Sequence, residues 1–236
     1  MERIMTGHRL HLGSVAVWPR LVRGGITLVT LAVGLSVMTG GSPAIAAPLP
    51  SGPTAGAIEH FAIVPSASSV TYRVGETFFE ENRFNVAVGT TQSIQGDIFV
   101  DRANPTRSRV GPITIDISTF RSNSARRDRA IRDRWLESSR YPTAQFTPTA
   151  VQGLPALYRD GQDVPVQVLG NLRVRDVTRP VTFTGTVKLA GDMLTGTVQT
   201  AILMTDFGFD PPAILGMLKA ENQVRLELQF TAKRAA

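Results

Sequence analysis

From residue 58 onward apolar side chains return at every second position, and that period marks half-buried β-strands rather than helices. Val70, Tyr72, Val74 and Phe78 share one parity; so do Phe84, Val86 and Val88, then Ile94, Ile98 and Val100, then Ile113, Ile115 and Ile117. Mostly polar or small residues stand between them, among them Thr71, Arg73, Asn85, Gln95, Asp97, Thr114 and Asp116. The clearest case is Leu169 to Phe183, LGNLRVRDVTRPVTF, two alternating runs joined by a short polar connection with Pro180 at the start of the second. Runs joined so closely pair antiparallel. Leu172 and Val174 fall on one face and Arg173 and Arg175 on the other; past the turn, Phe183, Val187 and Leu189 oppose Thr182, Thr184, Thr186 and Lys188. Leu194, Val198 and Ile202, and finally Val224, Leu226, Leu228 and Phe230, continue the pattern.

About eight or nine strands, with no βα alternation and no internal repeat, predict one all-β domain. Strands with one apolar face each and sequential neighbours close most economically into an up-and-down barrel or a two-sheet sandwich. The lumen of an eight-stranded barrel is either filled by side chains or able to hold one slender ligand, and spacing leaves both open. One segment departs from the rhythm. Ser124 to Ser138, SARRDRAIRDRWLES, places Ala130, Ile131, Trp135 and Leu136 at helical spacing behind Ser124 as a cap, which predicts one short α-helix over 124–138, stopped before Tyr141-Pro142. Asp210 to Lys219, DPPAILGMLK, is short and broken by Gly216, and fits a helical turn or a lid-like loop.

The N-terminal residues read differently. Arg9, Arg20 and Arg23 precede an uncharged apolar run from Ile26 to Met38, followed by Gly40, Gly41, Ser42, Pro43 and the small-residue stretch Ala44, Ile45, Ala46. That order predicts a signal peptide over 1–46 and an exported domain, periplasmic or extracellular. The run falls short of the ~20 apolar residues that span a bilayer; a retained N-terminal anchor is the lesser alternative, and after cleavage no integral span is expected. Residues 47–57, APLPSGPTAGA, read as a flexible spacer before a folded domain over 58–234.

Charge and reactive residues narrow the function. Removing residues 1–46 takes away four arginines and one glutamate and lowers the net charge from +6 to +3, so no nucleic-acid footprint is expected. The chain has no cysteine, and two of its three histidines, His8 and His11, precede the domain, leaving His60 alone. A cysteine or multi-histidine zinc site is thereby excluded from the domain, and a Ser-His-Asp triad would have to use His60, with no nucleophile-elbow pattern to support it. Asp97, Asp101 and Asp116 fall on outward positions, not spaced as a catalytic pair. No enzyme, metal or cofactor is expected. Arg126, Arg127 and Arg129, with Arg132 and Arg134, either steer an anionic head group or form a solvated face balanced by Asp128 and Asp133. Phe207, Phe209, Ile214, Leu215 and Met217, flanked by Gly208 and Gly216, are gate candidates or packing under a loop.

Several of these segments together resemble the YceI family of bacterial polyisoprenoid-binding proteins. Ser69-Val70-Thr71-Tyr72 sit at the start of its first core strand, followed by Gly89 and Ile94-Gln95-Gly96; Arg127-Asp128, Ile131, Trp135-Leu136, Tyr141-Pro142 and Phe146 are similar to its helix and exit strand; Gly170 to Pro180 matches its hairpin, and Asp206-Phe207-Gly208 its C-terminal turn. Two departures stand out: Met204 where the family has arginine, and Asp176 in place of the hairpin glycine. The resemblance implies a lipocalin-like barrel whose lumen takes an isoprenoid, quinone-like or other long-chain lipid. It further implies that Val70, Tyr72, Ile113, Ile115, Phe146, Phe183, Val187, Ile202, Leu226, Leu228 and Phe230 line that lumen rather than fill a core. A solidly packed envelope interaction module without a ligand is the alternative.

Overall fold

In a computed structural model of the chain, residues 56–235 apart from Leu215 are described; the expected signal peptide over 1–46 and most of the expected spacer over 47–57 lie outside them. The alternating runs become antiparallel strands: β1 (Ile58–Ile63), β2 (Ser69–Phe78), β3 (Arg83–Thr91), β4 (Ile94–Asp101), β5 (Arg109–Asp116), the short β6 (Arg121–Ser122), β7 (Thr143–Gln152), β8 (Asp163–Val174), β9 (Val177–Ala190), β10 (Met193–Leu203), the short β11 (Ala213–Ile214) and β12 (Leu218–Arg234). Eight of them close a ring in the order β1, β4, β5, β7, β8, β9, β10, β12 and back to β1. Among the described residues the fold is an antiparallel β-barrel with one short α-helix.

Strand β12 makes the closure possible because it is long enough to serve two partners on one edge. It pairs with β2 from Leu218 to Gln229 and with β1 from Ala232 to Arg234. At the changeover the Thr231 N–H would lack a ladder acceptor; the buried Ser68 hydroxyl takes it at 3.1 Å and donates in turn to the Val64 carbonyl. From β2 the sheet runs on through β3 to β6, so the barrel wall is doubled in function there: β1 closes one end and the β2–β3 pair covers the other.

The β8–β9 hairpin turns on two residues, Arg175 and Asp176, with Val174 opposite Val177. Arg175 is in the left-handed region at φ 57°, a conformation that costs a non-glycine residue about 1 kcal/mol. Its guanidinium offsets this by pairing with Glu137 at 2.5 Å and donating to the Trp135 carbonyl at 3.3 Å, which ties the turn to the helical segment.

That segment is shorter than its apolar spacing predicts. Ser124 caps it as expected, its hydroxyl accepting from the Arg127 N–H at 3.3 Å. Helix α1 (Ala125–Ala130) then widens into a π-helical turn, Ile131–Trp135, and ends at Leu136, where Glu137 adopts φ 47°. The stop comes from that left-handed residue, before Tyr141-Pro142. The 210–219 stretch is neither helix nor open loop: Ala213 and Ile214 pair with Lys219 and Leu218 in a small hairpin.

Strand β3 inverts its expected parity. Phe84, Val86 and Val88 face solvent, while Ala87, Gly89 and Thr91 point inward. The cause is volume: the Tyr72 ring lies over Gly89, where a Cβ would come within 2.3 Å of it, so only small residues fit beneath β3.

Candidate functional site

The interior of the barrel is a cavity of about 690 Å³, within the ~300–1,000 Å³ of small-molecule sites. All eleven residues expected at a lumen stand on its wall: Val70 and Tyr72 from β2, Ile113 and Ile115 from β5, Phe146 from β7, Phe183 and Val187 from β9, Ile202 from β10, and Leu226, Leu228 and Phe230 from β12. They converge because period-two alternation puts one face of every strand inside a closed ring. Phe183, Val187, Leu226 and Leu228 remain only partly buried although they face inward. Side chains do not plug the space between them. Phe146 and Phe183 meet edge to face at 4.9 Å, and Tyr72 meets Phe120 likewise at 5.2 Å.

The cavity runs the length of the barrel. At one end its wall is formed by Pro105, Ser108 and Tyr158; at the other by Ala130, Ile131 and Trp135 of the helical segment with Phe209, Ile214 and Met217. The first is called the turn end and the second the helix end. Of the gate candidates, Phe209, Ile214 and Met217 border the cavity, and Leu215 lies outside the described residues. Phe207 does not border it. That ring is 1% exposed within the core cluster, because the turn Met204–Phe207 folds it inward while Gly208 reverses the chain in the left-handed region.

The arginines of the helix divide into two kinds. Arg127 is held inside: its guanidinium donates to both carboxylate oxygens of Glu76, at 2.9 and 3.2 Å, and to Asn123 at 2.7 Å. Asp128, expected with Asp133 to balance a solvated arginine face, pairs with no arginine among the described residues; it accepts from the Ser122 N–H and hydroxyl at 2.9 and 2.6 Å. Arg126 borders the cavity and is exposed, whereas Arg129 is exposed away from the cavity wall. Of the three head-group candidates, Arg126 is the one that borders the cavity without an ion-pair partner among the described residues.

Glu76 is a site residue that sequence reasoning passed over, although its parity is that of Val70, Tyr72 and Val74: an acid on an oily face was the available signal. Trp135, Val74 and Tyr158 also stand on the wall without having been singled out as site residues. Burial, reinforced by the nearby Asp128 carboxylate, pushes the Tyr72 phenol up to about 12, so it is a neutral group at physiological pH. Asp101, expected on an outward position, is fully buried at the turn end. It is the last residue of β4 and caps the loop that follows, accepting from the Asn104 N–H at 2.8 Å, with Arg107 at 3.7 Å. Among the described residues no cluster of three or more His, Cys, Asp or Glu is placed to hold a metal. What this site does chemically is bury apolar surface.

A sequence model of the YceI-like domain matches residues 61–232, well over half of the chain. The chain belongs to the YceI family. Among curated YceI relatives, Protein YceI of Escherichia coli O17:K52:H18 is 32% identical over 105 residues, 44% of this chain and 50% of that protein. Protein YceI of Salmonella arizonae is 30% identical over the same length. The chain thus spans about half the length of the curated YceI relatives it matches. Among solved structures it superposes on BcnA of Burkholderia cenocepacia with a TM-score of 0.57 at 18% identity, covering 72% of this chain and 99% of that one. A polyisoprenoid binding domain from Saccharophagus degradans, implicated in plant cell wall breakdown, gives 0.56 at 13% identity, over 76% and 100%. At these identities the likeness establishes the YceI barrel as a fold.

Proposed function

We propose that this chain is an exported, non-catalytic carrier that holds a polyisoprenoid or similar long-chain lipid in the lumen of its barrel. The observation that carries the reading is the continuous apolar cavity of about 690 Å³ running from the turn end to the helix end. Each five-carbon unit moved from water onto such a wall gains roughly 4 kcal/mol at about 0.8 kcal/mol per carbon. A long tunnel alone is therefore enough for tight binding. The polyisoprenoid binding named for the S. degradans neighbour supports the same class of ligand. Export follows from the signal-like order of residues 1–46, and no described helix is long and apolar enough to cross a membrane. Native mass spectrometry of protein recovered from its own host, followed by organic extraction, is expected to show one bound lipid. Protein that is consistently empty and also refuses prenyl chains would overturn the reading in favour of an interaction module.

A further inference from the structure

The rim of the helix end combines two features that a ligand mouth alone does not require. Around it project large apolar side chains: Phe79 at 52% and Phe84 at 60% exposure from the β2–β3 hairpin, and Ile214 and Met217 from the small hairpin beside it. The two hairpins are joined, the Phe79 N–H donating to the Met217 carbonyl at 3.0 Å. Beside them the helical segment presents Arg126, Arg129 and Arg134, for which no carboxylate lies within 4.0 Å among the described residues. Of the carboxylates nearby, Glu76 is held by Arg127, Glu81 by Arg83, Glu137 by Arg175 and Asp128 by Ser122; Glu80, Asp133, Asp206, Asp210 and Glu221 are counter-charges at this end without an ion pair among the described residues. At the turn end Ile58, Leu157 and Met193 are exposed too, and there Arg102 is held by Glu59 and Asp160 and Arg234 by Glu59 and Asp192, while Arg109 lies over the Phe99 ring and Arg159 and Lys233 have no carboxylate within 4.0 Å among the described residues.

We infer that the rim of the helix end docks on an anionic lipid bilayer, its apolar side chains among the acyl chains and its free arginines against the head groups. The inference rests on the carrier reading and deepens it by naming where the ligand is collected. A chain that gains several kcal/mol per isoprene unit on leaving water does not cross water to reach the lumen. An apolar collar continuous with the cavity lets it pass from bilayer to barrel without being wetted. Cations around the collar add attraction to an anionic surface that a neutral surface lacks.

Flotation of the protein with vesicles of phosphatidylcholine, with and without phosphatidylglycerol, tests the docking; transfer of a farnesyl probe from cyclodextrin tests the lumen separately. Two double variants avoid the cavity wall: Arg129→Ser with Arg134→Ser, and Phe79→Ser with Phe84→Ser. All carry the parent's N-terminal segment, so any difference belongs to the rim. The arginine variant is expected to bind phosphatidylglycerol vesicles roughly thirtyfold more weakly, at about fivefold per cation, and neutral vesicles as the parent does. The phenylalanine variant is expected to lose more than about tenfold on both. Both should take up the farnesyl probe normally. Parent-like flotation of both variants, or a parent that takes the probe and floats with neither vesicle, overturns the docking. So does loss of self-association in the phenylalanine variant with flotation unchanged, since the free edge of β3 would then belong to a second copy of the chain. Rim-dependent flotation without probe uptake leaves the docking standing and removes the carrier reading instead.

Discussion

The two ends of the barrel are built on opposite plans. At the turn end a network of charges ties the strands: Arg102 donates to both carboxylate oxygens of Glu59 at 2.9 and 3.0 Å, reaches Asp160 at 3.2 Å and the Gly191 carbonyl, and Arg234 bridges Glu59 to Asp192. Tyr158 adds a neutral clasp, its hydroxyl accepting from the Leu189 N–H at 2.6 Å. The first and last described strands, β1 and β12, meet there. At the helix end one ion pair, Glu76 with Arg127, is turned inward, while apolar rings and free arginines face out. One end of a container is thus stitched by surface charges around the ring closure, and the other keeps its charge pair inside and its apolar surface available. The difference fits a lumen filled from the helix end, where exposed apolar side chains and arginines without a carboxylate partner among the described residues lie next to the cavity wall.

Three measurements sharpen that contrast, beginning with the largest expected effect. Replacing Arg127 with alanine leaves the buried Glu76 carboxylate without its partner and should lower stability by about 3 kcal/mol in urea titration. Replacing both Glu76 and Arg127 with leucine should recover most of that loss, since the isolated charge is what costs; a double variant as unstable as the single one would show that the pair seats the helix by shape rather than by charge. The second measurement uses pH. Tyr72 ionises near 10 when unfolded and at about 12 in the barrel, so its neutral form is favoured by folding, and stability should fall as pH rises from about 10 to about 12, by roughly 2 kcal/mol. Below about pH 10 this residue contributes no pH dependence, and Tyr72→Phe should lose its share of the slope and keep that of Tyr158, whose phenol is also pushed up by burial. Parallel curves for the two proteins would mean that the phenol is wetter than its place on the wall indicates.

The smallest effect is expected at the turn end. Arg102→Ala removes a partly exposed network and should cost about 1 kcal/mol, shrinking as salt is added. A loss as large as that of Arg127→Ala would erase the distinction between the ends, because surface charges would then be holding the closure as strongly as a buried pair holds the helix.

Much of this was legible in the residues. The hairpin of β8 and β9, the Ser124 cap and the shared inward parity of the wall positions follow from alternation and local capping, which depend on near neighbours along the chain, whereas their place at a lumen was implied by the family resemblance alone. The misreadings share a cause. Phe84, Val86 and Val88 read as core until Tyr72, one strand away, claims the space over Gly89. Asp101 reads as outward until the loop after it folds over the carboxylate. Arg127 reads as a head-group cation or part of a solvated face until β2 brings Glu76 to it from 51 residues away.

Periodicity by itself determined that this protein is made of one-sided strands, and that the oily sides would be shared, because a side chain's face in a strand depends only on whether its position is odd or even. Whether those oily sides touch across the middle or stand apart around a hollow is set by the number of strands in the ring and their pairing. Those are decided between residues far apart in the chain, by β12 choosing both β1 and β2, and so only the tertiary structure shows the lumen and which of its ends is left unstitched.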